Sequence, residues 1–152
     1  MLSKVSFLIV FLCAATVSGF AQSSEKDLVF AAIQNYVDGL YLVKPEKIKE
    51  SVHPGLTKKG YWRKSAAEPF GPEQRMTWQQ LYDLAGKWNS KGNLPANAPK
   101  IIEVFDVQDQ TASGKLTAQW GTDYFQLAKY DGKWMIVNVL WQSPPSNVVA
   151  EK

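Results

Sequence analysis

The 152-residue sequence has very little thiol or imidazole chemistry, with one cysteine and one histidine. Cys13 lies inside an apolar run at residues 5–17, so the rest of the chain has no thiol for a disulfide, a covalent catalyst or a metal. One histidine with carboxylates alone makes a poor metal site, and we predict neither a metal nor a cofactor. Apolar burial must therefore stabilise the fold.

The sequence also lacks a large excess of one charge, since its formal net charge at pH 7 is +3. So small a charge gives no reason to expect nucleic acid or another polyanion as a partner. One short segment does combine basic and aromatic residues: Lys58, Lys59, Tyr61, Trp62, Arg63 and Lys64. We interpret this basic segment as a solvated strand or loop.

No apolar run in the sequence is long enough to span a bilayer comfortably. Lys4 precedes the run at residues 5–17, and Gly19 and Ala21 place small residues at the two positions that determine signal-peptide cleavage. We therefore predict that residues 1–21 are a cleaved export signal, with a retained membrane anchor as the alternative. The mature protein would be periplasmic or secreted and would have no membrane segment.

Removal of that signal leaves a chain of single-domain size, which we place at residues 22–143, with a flexible tail at residues 144–152. Helical spacing governs its first part. Ser23 and Ser24 precede a predicted helix of about 17 residues. Pro45 begins a second, shorter helix, which the sequence His53-Pro54-Gly55 ends.

A strand is possible at residues 57–63, and residues 65–75 have the prolines and glycine of a loop. Thr77 and Gln80 then form a capping box for a third helix. From residue 101 the period changes to that of strands, with short connections. Four strands are predicted, at residues 101–109, 112–120, 122–130 and 133–142. Helices followed by an antiparallel meander predict an α+β domain.

The pair Asp131-Gly132 between two aromatic, β-rich runs is a strong signal for a tight hairpin. A two-residue turn there fixes the register of every later pair. The predicted pairs are Tyr130 with Lys133, Leu127 with Ile136, Phe125 with Asn138, and Asp123 with Leu140.

Alternation then divides the hairpin into two faces. One face carries Asp123, Phe125, Leu127, Trp134, Ile136, Asn138 and Leu140. The other face includes Tyr124, Val137 and Val139 and is also largely apolar, so it needs a cover of its own. We expect a homodimer to form through this second face.

Asp123 is the polar exception on the first face. An ionised carboxylate among apolar groups is costly unless it is hydrogen-bonded, paired or solvated in a cavity. It can line a pocket, it can act as a proton acceptor or donor, or it can lie hydrated at the strand end beside Gly121. We favour the pocket.

Several of these segments together resemble the nuclear-transport-factor-2-like (NTF2-like, SnoaL-like) superfamily, and most closely its lumazine-binding branch. They are the long first helix with Tyr36, the sequence His53-Pro54-Gly55-Leu56, the capped Met76-Thr77 helix and the closing residues 123–141. The resemblance implies a cone-shaped α+β fold, in which about three helices pack on a curved antiparallel sheet around an internal pocket, and dimers formed through the outer sheet face. It does not fix the function, because the superfamily contains both enzymes and binding proteins.

Comparison with the ketosteroid isomerases of this superfamily gives a partial match. Tyr36 corresponds to a tyrosine of the first helix and Asp123, loosely, to a late acid. His53 lies near the position of the general base, where this sequence has no carboxylate. As a base, His53 could act with Asp123 or Tyr36; alternatively, it meets free carbonyl groups at the end of the second helix.

The sequence thus predicts an exported domain that is more a binding protein than an enzyme and that holds a small, partly apolar molecule. The predicted ligand-binding residues are Asp123, Tyr36, His53, Asn138, Trp134, Phe125 and Leu127, with Trp62 or Trp78 as further aromatic candidates. One alternative is a cofactor-free isomerase, cyclase or dehydratase that uses His53 or Asp123 as its base, with Tyr36. The other is an interaction domain without a ligand.

Overall fold

The computed structural model describes residues 24–145, so the predicted signal and all but the first two residues of the predicted tail lie outside the described residues. Within that range the chain forms three helices and six strands. In chain order they are α1 (Glu25–Tyr41), α2 (Pro45–Ser51), β1 (Val52–Tyr61), β2 (Gln74–Met76), α3 (Trp78–Ala85), β3 (Lys100–Val107), β4 (Thr111–Ala118), β5 (Gly121–Tyr130) and β6 (Lys133–Gln142).

The helix starts follow the capping signals in the sequence. The Ser24 hydroxyl accepts a hydrogen bond from the Asp27 amide at 3.2 Å, and the Asp27 carboxylate accepts one from the Ser24 amide at 3.1 Å. Thr77 and Gln80 make the same reciprocal pair at the start of α3. Pro45 is the first residue of α2, where its missing N–H is not needed. These three predictions are confirmed.

The six strands form one sheet in the order β2-β1-β6-β5-β4-β3. The meander from β3 to β6 is antiparallel, as predicted, whereas β1 runs parallel to β6 and makes the sheet mixed. The helices pack on one face of this curled sheet, which we call the inner face. Its core includes Ile33, Tyr36 and Val37 of α1, which are almost fully buried. The α+β cone is therefore confirmed.

The end of α2 differs from the prediction, because the strand begins earlier than expected. α2 ends at Ser51, and β1 already includes His53, Pro54 and Gly55. Proline disfavours helical backbone in the residue before it and favours extended backbone, so the chain passes directly from helix to strand. The pairing of β1 with β6 is irregular between Val52 and Thr57, and this irregularity accommodates the proline.

The hairpin turn is confirmed, but part of its register is wrong. Asp131 and Gly132 have φ values of 49° and 78°, which a tight turn of this type requires. Tyr130 pairs with Lys133 and Leu127 with Ile136, as predicted. The register then shifts, because Gln126 pairs with Asn138 and leaves Val137 as an extra residue. This is a β-bulge.

Beyond the bulge every side chain of β6 lies on the opposite face from the one predicted. Asp123 pairs with Trp141 instead of Leu140, and Phe125 pairs with Val139 instead of Asn138. Val139 is fully buried on the inner face, so it cannot belong to the dimerisation face assigned to it. Leu140 instead joins Tyr124 on the outer face, where the two residues are 47% and 48% exposed.

Candidate functional site

Side chains of α1, β1 and β5 form a buried polar cluster on the inner face of the sheet. The Lys58 Nζ donates hydrogen bonds to the Tyr36 hydroxyl at 2.9 Å and to Asp123 Oδ1 at 3.4 Å. The second carboxylate oxygen of Asp123 accepts a bond of 2.8 Å from the Trp120 indole N–H. Tyr36 is 1%, Lys58 6% and Asp123 0% exposed. The carboxylate is therefore paired and hydrogen-bonded, which offsets the cost of its burial.

The strand registers place these groups together. Lys58 pairs with Val139 and points to the inner face, while Asp123 pairs with Trp141. Gly60 lies opposite Trp141 on β1, and a β-carbon at that position would overlap the Trp141 indole. The missing side chain therefore allows the indole to pack directly on the β1 backbone.

Burial shifts the pKa values of Lys58 and Tyr36. Removal from water lowers the pKa of Lys58, and the opposite charge of Asp123 acts against that effect. Burial raises the pKa of Tyr36 well above its ordinary value, and the negative charge of Asp123 raises it further. The phenol therefore stays protonated at physiological pH.

The Lys58 ammonium has more donors than the protein uses. An ammonium group carries three N–H donors. Within residues 24–145 Lys58 has two hydrogen-bond acceptors, Tyr36 and Asp123. Since Lys58 also lines a cleft, the remaining donor is available to a molecule bound there.

That cleft has a volume of about 480 Å³ and lies between α1, α3 and the β1–β6 side of the sheet. Aromatic and apolar side chains form much of its wall, among them Trp62, Met76, Leu84, Trp88, Trp120 and Trp141. The wall is held by ring packing, because Trp88 stacks on Tyr41 at 5.5 Å and meets Trp120 edge-on at 5.2 Å. We call this space the tryptophan cleft.

Two of the predicted binding residues meet in this region. Tyr36 lines the tryptophan cleft, and Asp123 lies directly beneath it as the partner of Lys58. Trp62, one of the further aromatic candidates, also lines it and is half exposed. Trp78, the other, instead stacks on Tyr82 and donates to the Val52 carbonyl.

The structure does not bring the remaining predicted residues to the cleft. Phe125 and Leu127 are core residues, 2% and 1% exposed. Trp134 is on the inner face as predicted, but it lines a different, smaller cleft of about 230 Å³ and donates to Glu25. Asn138 lies beyond the bulge and points to the outer face.

His53 is separated from Asp123 as well. Its ring stacks on Tyr130, with centroids 4.4 Å apart, and its Nδ1 accepts a hydrogen bond of 3.0 Å from the Gly55 amide. Tyr130 and Asp123 lie at opposite ends of β5. The histidine is therefore neither a helix-terminal residue nor a partner of the buried cluster.

Sequence reasoning missed Lys58, the central residue of the site. The composition of the basic segment indicates a solvated strand or loop, but Lys58 is buried, whereas Lys59, next to it, faces outward beside Leu140. The available signal was alternation along β1, which gives neighbouring lysines opposite faces. A buried Asp123 also required a cationic or hydrogen-bonding partner.

Within residues 24–145, no group of three or more histidine, cysteine, aspartate or glutamate side chains is placed to hold a metal ion. No helix in the same range is long and apolar enough to cross a membrane.

Comparisons with known proteins agree with this fold. Residues 24–142 match the protein family described as “Putative lumazine-binding”. No curated protein matches the sequence.

Several solved structures have a fold similar to that of this chain. An NTF2-like protein of unknown function from Silicibacter pomeroyi has a TM-score of 0.58 and 13% identity, covering 77% of this chain and 93% of that one. One from Shewanella baltica has a TM-score of 0.58 and 19% identity, covering 80% and 94%. A ketosteroid isomerase-like protein from Erwinia carotovora has a TM-score of 0.51 and 14% identity, covering 80% and 98%. At these identities the likeness concerns the fold.

Proposed function

We propose that this chain, which belongs to the “Putative lumazine-binding” family of NTF2-like domains, binds one small, flat, partly apolar molecule in the tryptophan cleft and does not transform it by acid–base catalysis. The observation that carries the proposal is the Lys58 ammonium at the floor of an aromatic cleft with one donor to spare. An acceptor oxygen on the bound molecule would complete its hydrogen bonding.

The energetics favour a ligand with both features. A buried donor left without an acceptor costs about 1–3 kcal/mol, and more when it is charged. Flat rings against the indoles of Trp120 and Trp141 would add burial and stacking. A ligand with an apolar ring system and one carbonyl or similar oxygen therefore fits the cleft better than a sugar or a peptide.

The state of Asp123 supports a binding role over the alternative of general-base catalysis. Both of its oxygens already accept hydrogen bonds, from Lys58 and Trp120, and none of its surface is exposed. A general base must come within hydrogen-bond reach of the proton it abstracts. Asp123 would have to leave its partners to do so.

Two further properties belong to the same proposal. We propose that the domain is exported, on the composition of residues 1–21. We also propose that it dimerises through the outer sheet face, where Tyr124 and Leu140 pair side by side and are half exposed. A strictly monomeric mass at micromolar concentration would contradict the dimer.

Native mass spectrometry of the protein purified from its own source tests the binding role, since it reports a retained small molecule and the oligomeric state together. Lumazine, which the family name suggests as a first probe, can be titrated separately by its own fluorescence. We expect a retained mass or saturable binding of a flat probe. An empty protein that binds none of a panel of flat, carbonyl-bearing heterocycles would contradict the proposal.

A further inference from the structure

We infer that Lys58 captures its ligand covalently: the tryptophan cleft takes a flat aldehyde or ketone, and the Lys58 Nζ forms a reversible imine with its carbonyl carbon. The inference rests on the proposed binding function and adds to it the chemical class of the ligand. A cleft that held its ligand by hydrogen bonds alone would not require Lys58 to react.

The position of the Lys58 amine supports imine formation. Lys58 lines the cleft, and its Nζ lies 5.6 Å from the ring centre of Tyr36 and 5.5 Å from that of Trp141. Aromatic surroundings keep bulk water away from the nitrogen. A lysine desolvated in an apolar pocket is the form of this side chain that reacts with carbonyl groups, because burial favours its neutral state.

A proton acceptor lies beside the Lys58 amine. An ammonium has no lone pair, so it must lose a proton before it can attack. Asp123 Oδ1 lies 3.4 Å from the Nζ, is held by Trp120 through its other oxygen and is shielded from solvent. It is therefore placed to receive one proton from Lys58 and to return it later in the reaction.

The step balances without any additional reactant. The ammonium transfers one proton to Asp123, and the freed nitrogen lone pair forms the C–N bond while the carbonyl π pair moves to oxygen. A second nitrogen proton moves to that oxygen and gives a carbinolamine. Tyr36 then passes its hydroxyl proton to the carbinolamine hydroxyl and takes the Asp123 proton in its place, the C–O bond breaks, and water leaves as the nitrogen lone pair forms the C=N bond.

The product fits the same surroundings as the starting amine. The protonated imine carries one positive charge, and Asp123 is again a carboxylate, so the buried ion pair persists across the reaction. The Tyr36 hydroxyl, 2.9 Å from the Nζ, is placed to bond the carbinolamine oxygen. Hydrolysis by the reverse path releases the carbonyl compound.

Reductive trapping tests the inference. The full-length protein would be incubated with 2-naphthaldehyde and sodium cyanoborohydride at neutral pH, digested, and mapped by peptide mass spectrometry. We expect the reduced adduct to appear first on Lys58, before any other lysine. Lys59→Arg is the matched control, because that neighbouring lysine faces outward. It should leave the rate of Lys58 labelling unchanged, whereas Lys58→Arg should abolish the adduct that forms first.

Lys58→Arg keeps the positive charge opposite Asp123 but cannot form an imine, so loss of labelling in a folded variant is specific to the reaction. The peptide map of the wild-type protein shows by itself which lysine is labelled first, so this result does not depend on whether a variant folds. A separate titration with 2-methylnaphthalene, which has no carbonyl group, measures noncovalent binding in the cleft through the change in tryptophan fluorescence.

If this hydrocarbon or the aldehyde binds the cleft while Lys58 is labelled no faster than exposed lysines, the imine is refuted and the binding function stands. If neither probe binds and Lys58 is labelled no faster than exposed lysines, the imine is refuted, and the binding function is decided separately by the retained mass and the panel of heterocycles.

Discussion

Replacement of Lys58 by methionine should destabilise the domain far more than a change at most other lysines. Methionine has nearly the volume of the lysine stem, so the substitution leaves no large cavity. It does remove the cation 3.4 Å from Asp123 and the donor 2.9 Å from the Tyr36 hydroxyl. Asp123 is 0% exposed and cannot recover its hydration without local opening.

The magnitude follows from that geometry. Removing one partner of a buried ion pair costs about 3–5 kcal/mol, because the other charge stays buried without compensation. With a urea m-value of roughly 2 kcal/mol per molar, this loss lowers the unfolding midpoint by about 2 M. Asp123→Asn alone should also destabilise, since it leaves the ammonium unpaired, whereas Lys58→Met with Asp123→Asn removes both charges and should recover most of the loss.

Urea unfolding of the four proteins, followed by tryptophan fluorescence and circular dichroism, measures this cycle. Lys59→Met serves as the control on the outward-facing neighbour and should change stability by less than about 0.5 kcal/mol. The reasoning would be refuted if Lys58→Met cost under about 1 kcal/mol, or if the two single effects simply added in the double variant.

Tyr36 has a raised pKa in the folded protein, so above about pH 10 the unfolded chain loses a proton that the folded chain keeps. The free energy of unfolding should therefore fall by about 1.4 kcal/mol per pH unit in that range. Urea unfolding at several pH values should show that Tyr36→Phe lacks this contribution. Gly60→Val should force the Trp141 indole off β1, lower the free energy of unfolding by about 1–3 kcal/mol and weaken probe binding in the tryptophan cleft. Gly86→Ala is the control, because a β-carbon there meets only ordinary contacts and should change neither stability nor binding. Thr77→Ala should cost about 1 kcal/mol in thermal or urea unfolding through loss of the α3 cap, and an unchanged midpoint would show that the cap contributes nothing.

Local signals in the sequence predicted most of the elements. Ser24, Thr77 and the Asp131-Gly132 turn each act through neighbours a few residues away, and each is found where its pattern placed it. The β-bulge at Val137 has no such local signature, because most residues of β6 are apolar whichever face they lie on. One extra residue is enough to exchange the two faces of a strand.

The site was predictable in part for a related reason. The alternation along β5 marks Asp123 as a carboxylate that needs a partner, and the resemblance to the superfamily brings Tyr36 to the same site. Nothing in the sequence marks Lys58 as that partner, since the two residues are 65 positions apart and a lysine is rarely buried. The parallel pairing of β1 with β6 brings the two together, and only the tertiary fold shows that pairing.

The place of β6 in the sheet has a consequence for how the chain folds. Within residues 24–145 the last strand, β6, lies between β1 and β5, and without it β1 has only the three-residue β2 as a neighbour. The sheet therefore cannot be completed until residues 133–142 have left the ribosome, and its long-range pairing should make folding slow. Because Lys58 and Asp123 lie on the two strands that flank β6, their ion pair forms only when that last strand is in place.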